Sequence, residues 1–144
     1  MLCLMKEEIT SKELITLRAD DLPLLYNILR TLGISKIVNE SILVHKNWEG
    51  LLPGAILEVW LCYLLCTCDH RLSCVEDWVS DRIELLEVLL EGTAIRSYDF
   101  RDDKLGLLLE YFSEEGSWDS IETGLNRNIL ELYSLKQGGL STFR

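Results

Sequence analysis

Four cysteines and a histidine lie close together between residues 62 and 74, and they are the first candidates for chemistry. They are Cys62, Cys66, Cys68, His70 and Cys74. A structural zinc site needs four such ligands in a tetrahedron, usually carried on closely spaced pairs in turns. Cys62 and Cys66 instead lie four residues apart in an apolar segment typical of a helix, where cysteine packs as a small hydrophobic residue. The spacing therefore favours core packing, and we predict that the chain binds no metal.

Adjacent carboxylates are the second candidates, because such pairs can hold divalent ions or act as acid and base. The pairs are Asp20-Asp21, Asp102-Asp103 and Glu114-Glu115. Each is predicted to lie where a helix begins, and capping together with the helix dipole accounts for acids there. A two-metal site also needs carboxylates projected from a rigid framework, which this sequence does not indicate. We predict no catalysis at these pairs.

Nucleophilic and phosphate-binding motifs are absent from the sequence. His45 and His70 are the only histidines, and no serine lies in a Gly-x-Ser-x-Gly elbow. There is also no glycine-rich phosphate loop. We therefore predict a protein that is not an enzyme, with no catalytic or cofactor-binding residues, no cofactor and no small-molecule substrate.

The elements that position these residues are organised around the stretch from Gly54 to Leu90. Its first part is apolar on nearly every side, with Glu58 the only charge before Cys68. A helix that is apolar all round belongs in the centre of a fold or in a membrane. The uninterrupted apolar run begins only at Val59, which makes it shorter than the roughly 20 residues of a bilayer span. We predict a buried central helix that begins at Pro53, and no membrane association.

Glu58 and the segment after the central helix carry two further predictions. A charge on an apolar helix is paired or neutralised, and Arg71 or Arg82 are the candidate partners of Glu58. The sequence Ser73-Cys74-Val75-Glu76 has the form of a capping box, which predicts one helix from Ser73 to Glu91. Its apolar positions recur three or four residues apart, as Val75, Trp78, Val79, Ile83, Leu86 and Leu90.

The same periodicity predicts four more helices. The first is capped by Asp20 or Asp21, has Pro23 in its first turn, and ends at Gly33; its apolar face is Leu22, Leu25, Ile28, Leu29 and Leu32. The second runs from about Ser35 to Ser41 and the third from Asp102 to Phe112. The last is capped by Ser117 and follows the stripe Trp118, Ile121, Leu125, Ile129 and Leu132. Tyr98 and Phe100 are predicted to fill the core. The fold class is all-α, a single compact bundle of about six helices. Residues predicted to be buried are Trp60, Cys62, Leu64, Leu65, Val79, Leu86, Leu125 and Ile129.

The charge restricts the choice of partners. The formal net charge is −10, of which residues 73–144 contribute −8 with 7 basic and 15 acidic side chains. An acidic surface repels phosphate backbones and anionic lipid. A helix-turn-helix formed by Pro53–Cys68 and Ser73–Glu91 would carry six acids against Arg82 on its recognition helix, which favours a protein partner over DNA. The acids in MLCLMKEEIT predict no secretion signal, so we expect a cytoplasmic protein with reduced thiols.

Several short motifs occur in a specific order along the chain. They are Asp21–Leu25, Trp48–Leu51, Pro53-Gly54, Asp69–Leu72, Val75–Trp78, Tyr98–Leu105, Leu125–Arg127 and Tyr133–Leu135. In this order they resemble the N-terminal helical domain, a domain of unknown function, of bacterial insertion-sequence transposases of the IS4-like DDE superfamily. The resemblance covers residues 14–135, with 1–13 expected to be a loosely ordered arm and 136–144 a tail.

The resemblance implies a role in engaging the DNA at transposon ends or in assembling the synaptic complex. In that family an RNase H-like domain with three metal-binding carboxylates follows the helical domain. The tail from Lys136 to Arg144 contains no aspartate. We therefore expect a non-catalytic domain or fragment, truncated within 136–144, that lacks the catalytic domain and binds DNA weakly. The alternative is an acidic helical module that binds a protein partner or associates with itself.

Overall fold

The computed structural model describes Ala19 and residues 21–134, so the predicted arm at 1–13 and tail at 136–144 lie outside the described residues. Within that part of the chain seven α-helices pack together and no strand is present. They are α1 (Leu22–Leu32), α2 (Ile34–Ser41), α3 (Pro53–Thr67), α4 (Val75–Ser80), α5 (Ile83–Leu89), α6 (Asp102–Ser113) and α7 (Ser117–Leu132). Two 3₁₀ turns lie at Leu72–Cys74 and Ser97–Phe100. The predicted all-α fold is confirmed.

The seventh helix arises because the predicted helix Ser73–Glu91 is broken into α4 and α5. In a continuous helix the backbone N–H of Arg82 would donate to the carbonyl of Trp78. The guanidinium of Arg82 donates to that carbonyl instead, at 3.2 Å, and lies 4.7 Å from the centre of the Trp78 ring. The Arg82 N–H turns to the carbonyl of Val79, at 2.9 Å, so the chain bends there.

The capping box predicted at Ser73 does not form. Ser73 lies inside the 3₁₀ turn, Cys74 occupies the N-cap of α4, and no side chain caps that helix. The corner is ordered by Asp69, which accepts a hydrogen bond from the backbone N–H of Arg71 at 3.0 Å and binds its guanidinium at 2.7 Å. The turn is therefore stabilised by Asp69 and Arg71, which precede the predicted capping box, and not by the side chains of Ser73 and Glu76.

Helix α1 begins and ends as the sequence predicts. Pro23 lies in its first turn, and Gly33 takes the left-handed conformation at its end, with φ of 72°. The same glycine precedes the first residue of α2, so the two helices are joined without a loop. A side chain at this position would be strained in that conformation.

The predicted core is confirmed in its centre and wrong on several outer positions. Trp60, Cys62, Val79 and Leu86 are buried. Residues predicted to be buried that are only partly covered are Leu64, Leu125 and Ile129. Four residues that were predicted to lie in the core or on a buried apolar face are exposed, namely Ile28, Leu65, Trp118 and Leu132. Phe100 fills the core, whereas Tyr98 is exposed and its ring lies 4.3 Å from the guanidinium carbon of Arg96.

Leu65 is exposed because the neighbours of α3 cover only its first two-thirds. Every buried residue of the helix lies at or before Tyr63. On the face that carries Leu57, Leu61 and Leu65, the first two leucines are partly covered, whereas 56% of Leu65 is accessible. The apolar composition of the segment therefore overstated how much of it is covered.

Truncating Leu65 should accordingly have little effect. We expect Leu65→Ala to lower the free energy of unfolding by less than about 1 kcal/mol, because little covered surface is lost. The matched change Leu86→Ala, at a fully buried leucine, should cost about 2–5 kcal/mol. Urea denaturation of both variants measures the difference, and equal losses would contradict the burial described here.

Candidate functional site

Two carboxylates are buried, and they are the strongest candidates for chemistry among the described residues. Glu58 on α3 is 3% exposed, and Asp99 in the second 3₁₀ turn is 1% exposed. A buried charge is expensive unless hydrogen bonds or counter-charges satisfy it. The surroundings of each therefore decide whether it can react.

Glu58 is satisfied by neutral donors, which corrects the predicted ion pair with Arg71 or Arg82. Its Oε1 accepts a hydrogen bond from the backbone N–H of Ser35 at 3.0 Å, and the hydroxyl of Tyr26 also bonds to the carboxylate. Arg71 pairs with Asp69 instead, and Arg82 stacks on Trp78. Sequence proximity suggested the arginines, but the contacting groups come from α1 and α2.

The side chain of Glu58 on α3 caps the N-terminal end of α2. Ser35 lies in the first turn of α2, whose N-cap residue Gly33 has no side chain to satisfy the free amides. In return, Asn39 of α2 accepts a hydrogen bond from the backbone N–H of Gly54 in the first turn of α3, at 2.8 Å. Each of the two helices therefore caps the start of the other, and the pair is locked in register.

The pKa shifts around this contact make these groups less reactive. Burial raises the pKa of Glu58, and burial together with the nearby Glu58 raises the pKa of Tyr26 to about 12. Burial likewise raises the pKa of the Cys62 thiol to about 12, with Cys66 and Glu58 adding to the effect. A protonated thiol is a poor nucleophile and a poor metal ligand. Cys62 is therefore a core residue.

The raised pKa of Glu58 predicts a pH-dependent contribution to stability. The folded state binds this proton more tightly than the unfolded state, so the stabilisation is complete below the ordinary pKa of about 4.3 and is lost as pH rises through the raised folded pKa. Glu58→Gln lacks this titration and keeps an oxygen to accept the Ser35 N–H. We expect the variant to gain stability relative to the wild type as pH rises through that window. Chemical denaturation across pH measures it, and parallel curves would contradict the assignment.

A pocket of about 340 Å³ opens beside Glu58. Its walls carry two cations, Arg30 and Lys36, and two carboxylates, Glu58 and Glu91. Arg30 is in an ion pair with Glu91, and Lys36 lies 4.0 Å from Glu40. Since these charges already have partners, the pocket offers no distinct electrostatic preference for a ligand.

Asp99 is the centre of a second buried network, with cations as partners. Its Oδ1 accepts a hydrogen bond from Nζ of Lys104 at 2.6 Å, and both oxygens contact the guanidinium of Arg96 at 3.3 Å. Lys104 also donates to the backbone carbonyl of Glu49 at 2.7 Å and lies 4.9 Å from the centre of the Trp48 ring. We name these residues, with Gly50, the Asp99 cluster.

The Asp99 cluster fixes the loop that leads into α3. Gly50 has φ of 87°, and a Cβ there would lie 2.7 Å from Cγ of Asp99, so only glycine allows this approach. Trp48 donates from Nε1 to the carbonyl of Leu51 at 2.8 Å and packs edge-on against Tyr111. Since both carboxylate oxygens of Asp99 are bound by cations, the cluster is suited to holding the loop rather than to acid–base chemistry.

The four cysteines between residues 62 and 74 differ in how far they are covered. Cys62 is buried, Cys66 and Cys74 are partly covered, and Cys68 is exposed at the end of α3 with a left-handed backbone, φ of 53°. Within residues 21–134, no three histidine, cysteine, aspartate or glutamate side chains are grouped to hold a metal ion. That the protein binds no zinc stays a prediction.

The described members of the carboxylate pairs are exposed. Asp102 and Asp103 begin α6, where each accepts a hydrogen bond from the next backbone N–H at 2.9 Å. Asp20 lies outside the described residues, and Asp21 is the N-cap of α1 without a side-chain cap bond. The prediction that Ser117 caps α7 is wrong, because Gly116 holds that position and Glu114-Glu115 lie before it.

The basic side chains are largely neutralised. Residues 21–134 contain nine lysines and arginines and twenty acidic residues. Six of those nine cations lie in ion pairs within the same part of the chain: Arg30, Lys36, Arg71, Arg96, Arg101 and Lys104. Phosphate binding needs available cations, and three of the nine, Lys46, Arg82 and Arg127, lie outside these ion pairs.

None of the helices in the described part of the chain is long and apolar enough to cross a bilayer. Comparison with known protein families, with curated proteins and with solved structures finds no match to this chain. Its function must therefore be argued from its own residues.

Proposed function

We propose that the chain is a non-catalytic helical domain of an IS4-like insertion-sequence transposase, and that it acts in assembly of the synaptic complex. In this role the domain provides protein contacts, while DNA cleavage and joining belong to a separate catalytic domain. The proposal rests on the resemblance carried by the ordered motifs.

One observation supports it beyond the motifs themselves, namely that motif segments distant in sequence meet at the Asp99 cluster. Trp48–Leu51 contributes the loop, and Tyr98–Leu105 contributes Asp99 and Lys104. The segment Val75–Trp78 adds only a surface contact to the second of these segments, where Glu76 lies 3.6 Å from the exposed Arg101. Residues that share one buried hydrogen-bond network stabilise each other. This gives a physical reason why the two motifs Trp48–Leu51 and Tyr98–Leu105 occur in the same chain.

The electrostatics favour assembly over direct DNA contact. Six lysines and arginines already form ion pairs with acidic side chains of the same domain. The other charged side chains of residues 21–134 are mostly carboxylates. The same observation favours the second candidate function, an acidic helical module whose partner is another protein. The two candidates differ in whether a transposase catalytic domain belongs with this chain.

Sequencing the DNA downstream of the coding region tests the proposal. Because the family's helical domain precedes an RNase H-like domain, translation in all three frames should show a strand-like apolar run that contains an aspartate, with later acids completing the set. If several hundred nucleotides contain no such frame, the transposase proposal fails and the interaction module replaces it.

A further inference from the structure

The corner between α6 and α7 exposes an aromatic side chain in a fixed position. Trp118 is 57% exposed, and its ring packs edge-on against Phe112, with 6.3 Å between the ring centres. Leu109, which is 46% exposed, lies three residues before Phe112 and so on the same side of α6. Exposed tryptophans held by a neighbouring ring are the type of residue that dominates binding energy at protein interfaces.

The charged side chains in residues 105–126, which form this corner, are all acidic. No lysine or arginine occurs between Lys104 and Arg127. The same segment carries five exposed acids, Glu110, Glu114, Glu115, Asp119 and Glu122. None of the five forms an ion pair with another residue of the described part of the chain. We name these acids, with Leu109, Phe112 and Trp118, the Trp118 surface.

The acids on α4, on α5 and in the turn after α5 differ, because several of them have internal partners. Glu76 lies beside Arg101, and Glu87 accepts a hydrogen bond from the backbone N–H of Ile95 at 3.1 Å. Glu91 pairs with Arg30. Those carboxylates serve the fold, whereas the carboxylates of the Trp118 surface face outward without an internal cation.

We propose that the Trp118 surface is the docking site for a basic amphipathic helix of a partner protein. The apolar face of such a helix covers Trp118 and Leu109, and its lysines or arginines pair with the surrounding carboxylates. A second copy of this chain does not fit, because a two-fold contact would bring the same acids against each other. The inference goes beyond the proposed function and does not depend on it, since it requires no transposase origin.

The probe is an amphipathic leucine–lysine helical peptide, with a version in which serine replaces leucine as its apolar-face control. Binding is measured by fluorescence anisotropy to the wild type and to two variants of the full chain. Trp118→Ala removes the aromatic anchor, and the double variant E114K/E115K reverses two charges at the corner. The matched control D81K/E84K makes the same charge change at two exposed acids of the α4–α5 region. Circular dichroism of each variant verifies the fold.

We expect the leucine–lysine peptide to bind and the serine version to bind much more weakly. Trp118→Ala and E114K/E115K should each weaken binding by about tenfold or more, while D81K/E84K should stay within about twofold of the wild type. If E114K/E115K and D81K/E84K weaken binding equally while Trp118→Ala leaves it unchanged, net charge alone attracts the peptide, and the proposal is overturned. Absence of binding, or self-association of the chain that Trp118→Ala abolishes, would also overturn it.

Discussion

Replacing Asp99 with alanine should destabilise the protein by about 3–5 kcal/mol, the cost of leaving a buried ion without its partner. Lys104 would keep its ammonium group beside Trp48 and the Glu49 carbonyl, but without the carboxylate at 2.6 Å. The loop that leads into α3 would lose its anchor at the same time. Urea denaturation followed by circular dichroism measures the loss.

The control for this change is Asp103→Ala, which removes an exposed aspartate four residues after Asp99 whose Oδ1 accepts the backbone N–H of Lys104. This variant should cost less than about 1 kcal/mol. The double variant D99A/K104M separates charge from packing. Removing both ions should recover part of the loss, because no uncompensated charge remains buried. If Asp99→Ala costs no more than the control, the Asp99 cluster is not holding the fold.

The second large effect is expected at Gly54, where α2 and α3 approach most closely. A Cβ at this position would lie 2.6 Å from Cα of Ser35, which is backbone and cannot move without separating the helices. Separation would also break the caps that Glu58 and Asn39 provide across the pair. We expect Gly54→Ala to cost at least about 3 kcal/mol, within the range of severe overpacking.

Gly106→Ala is the matched control, because Gly106 lies in α6 with open space where its Cβ would point. Alanine stabilises an open helical site by about 0.5–1 kcal/mol relative to glycine. The two alanine substitutions should therefore have opposite signs in thermal or chemical denaturation. A neutral Gly54→Ala would show that α2 and α3 are not in the close contact described here.

Periodicity was sufficient to predict the helices that have one covered face. The ends of α1 at Pro23 and Gly33 follow from local backbone chemistry, which a short window of sequence contains. The break at Arg82 does not, because it depends on a guanidinium taking a carbonyl from the helix itself. The exposure of Leu65 could not be predicted either, because the apolar composition of α3 does not specify how far the neighbouring helices extend along it.

The buried carboxylates could be noticed from sequence, but their partners could not be assigned. Glu58 is the one charge in an apolar run, which identifies it as unusual, yet its donors come from Tyr26 and Ser35 far earlier in the chain. Asp99 has no apolar run around it to mark it as unusual, and it lies between Arg96 and Lys104 in the more acidic half of the chain. An acid with cations three residues before it and five after it was the available signal for the Asp99 cluster.

We infer that this domain acts through protein contacts rather than by binding or cutting DNA. The most direct measurement is fluorescence anisotropy of the purified chain with duplex DNA taken from the regions that flank its gene, titrated over salt concentration. The same mixtures with magnesium or manganese report strand cleavage and joining. We predict dissociation constants no tighter than about 1 µM at physiological salt, the range of non-specific binding, and no strand transfer. Nanomolar, sequence-selective binding or strand transfer by the purified chain would contradict the claim.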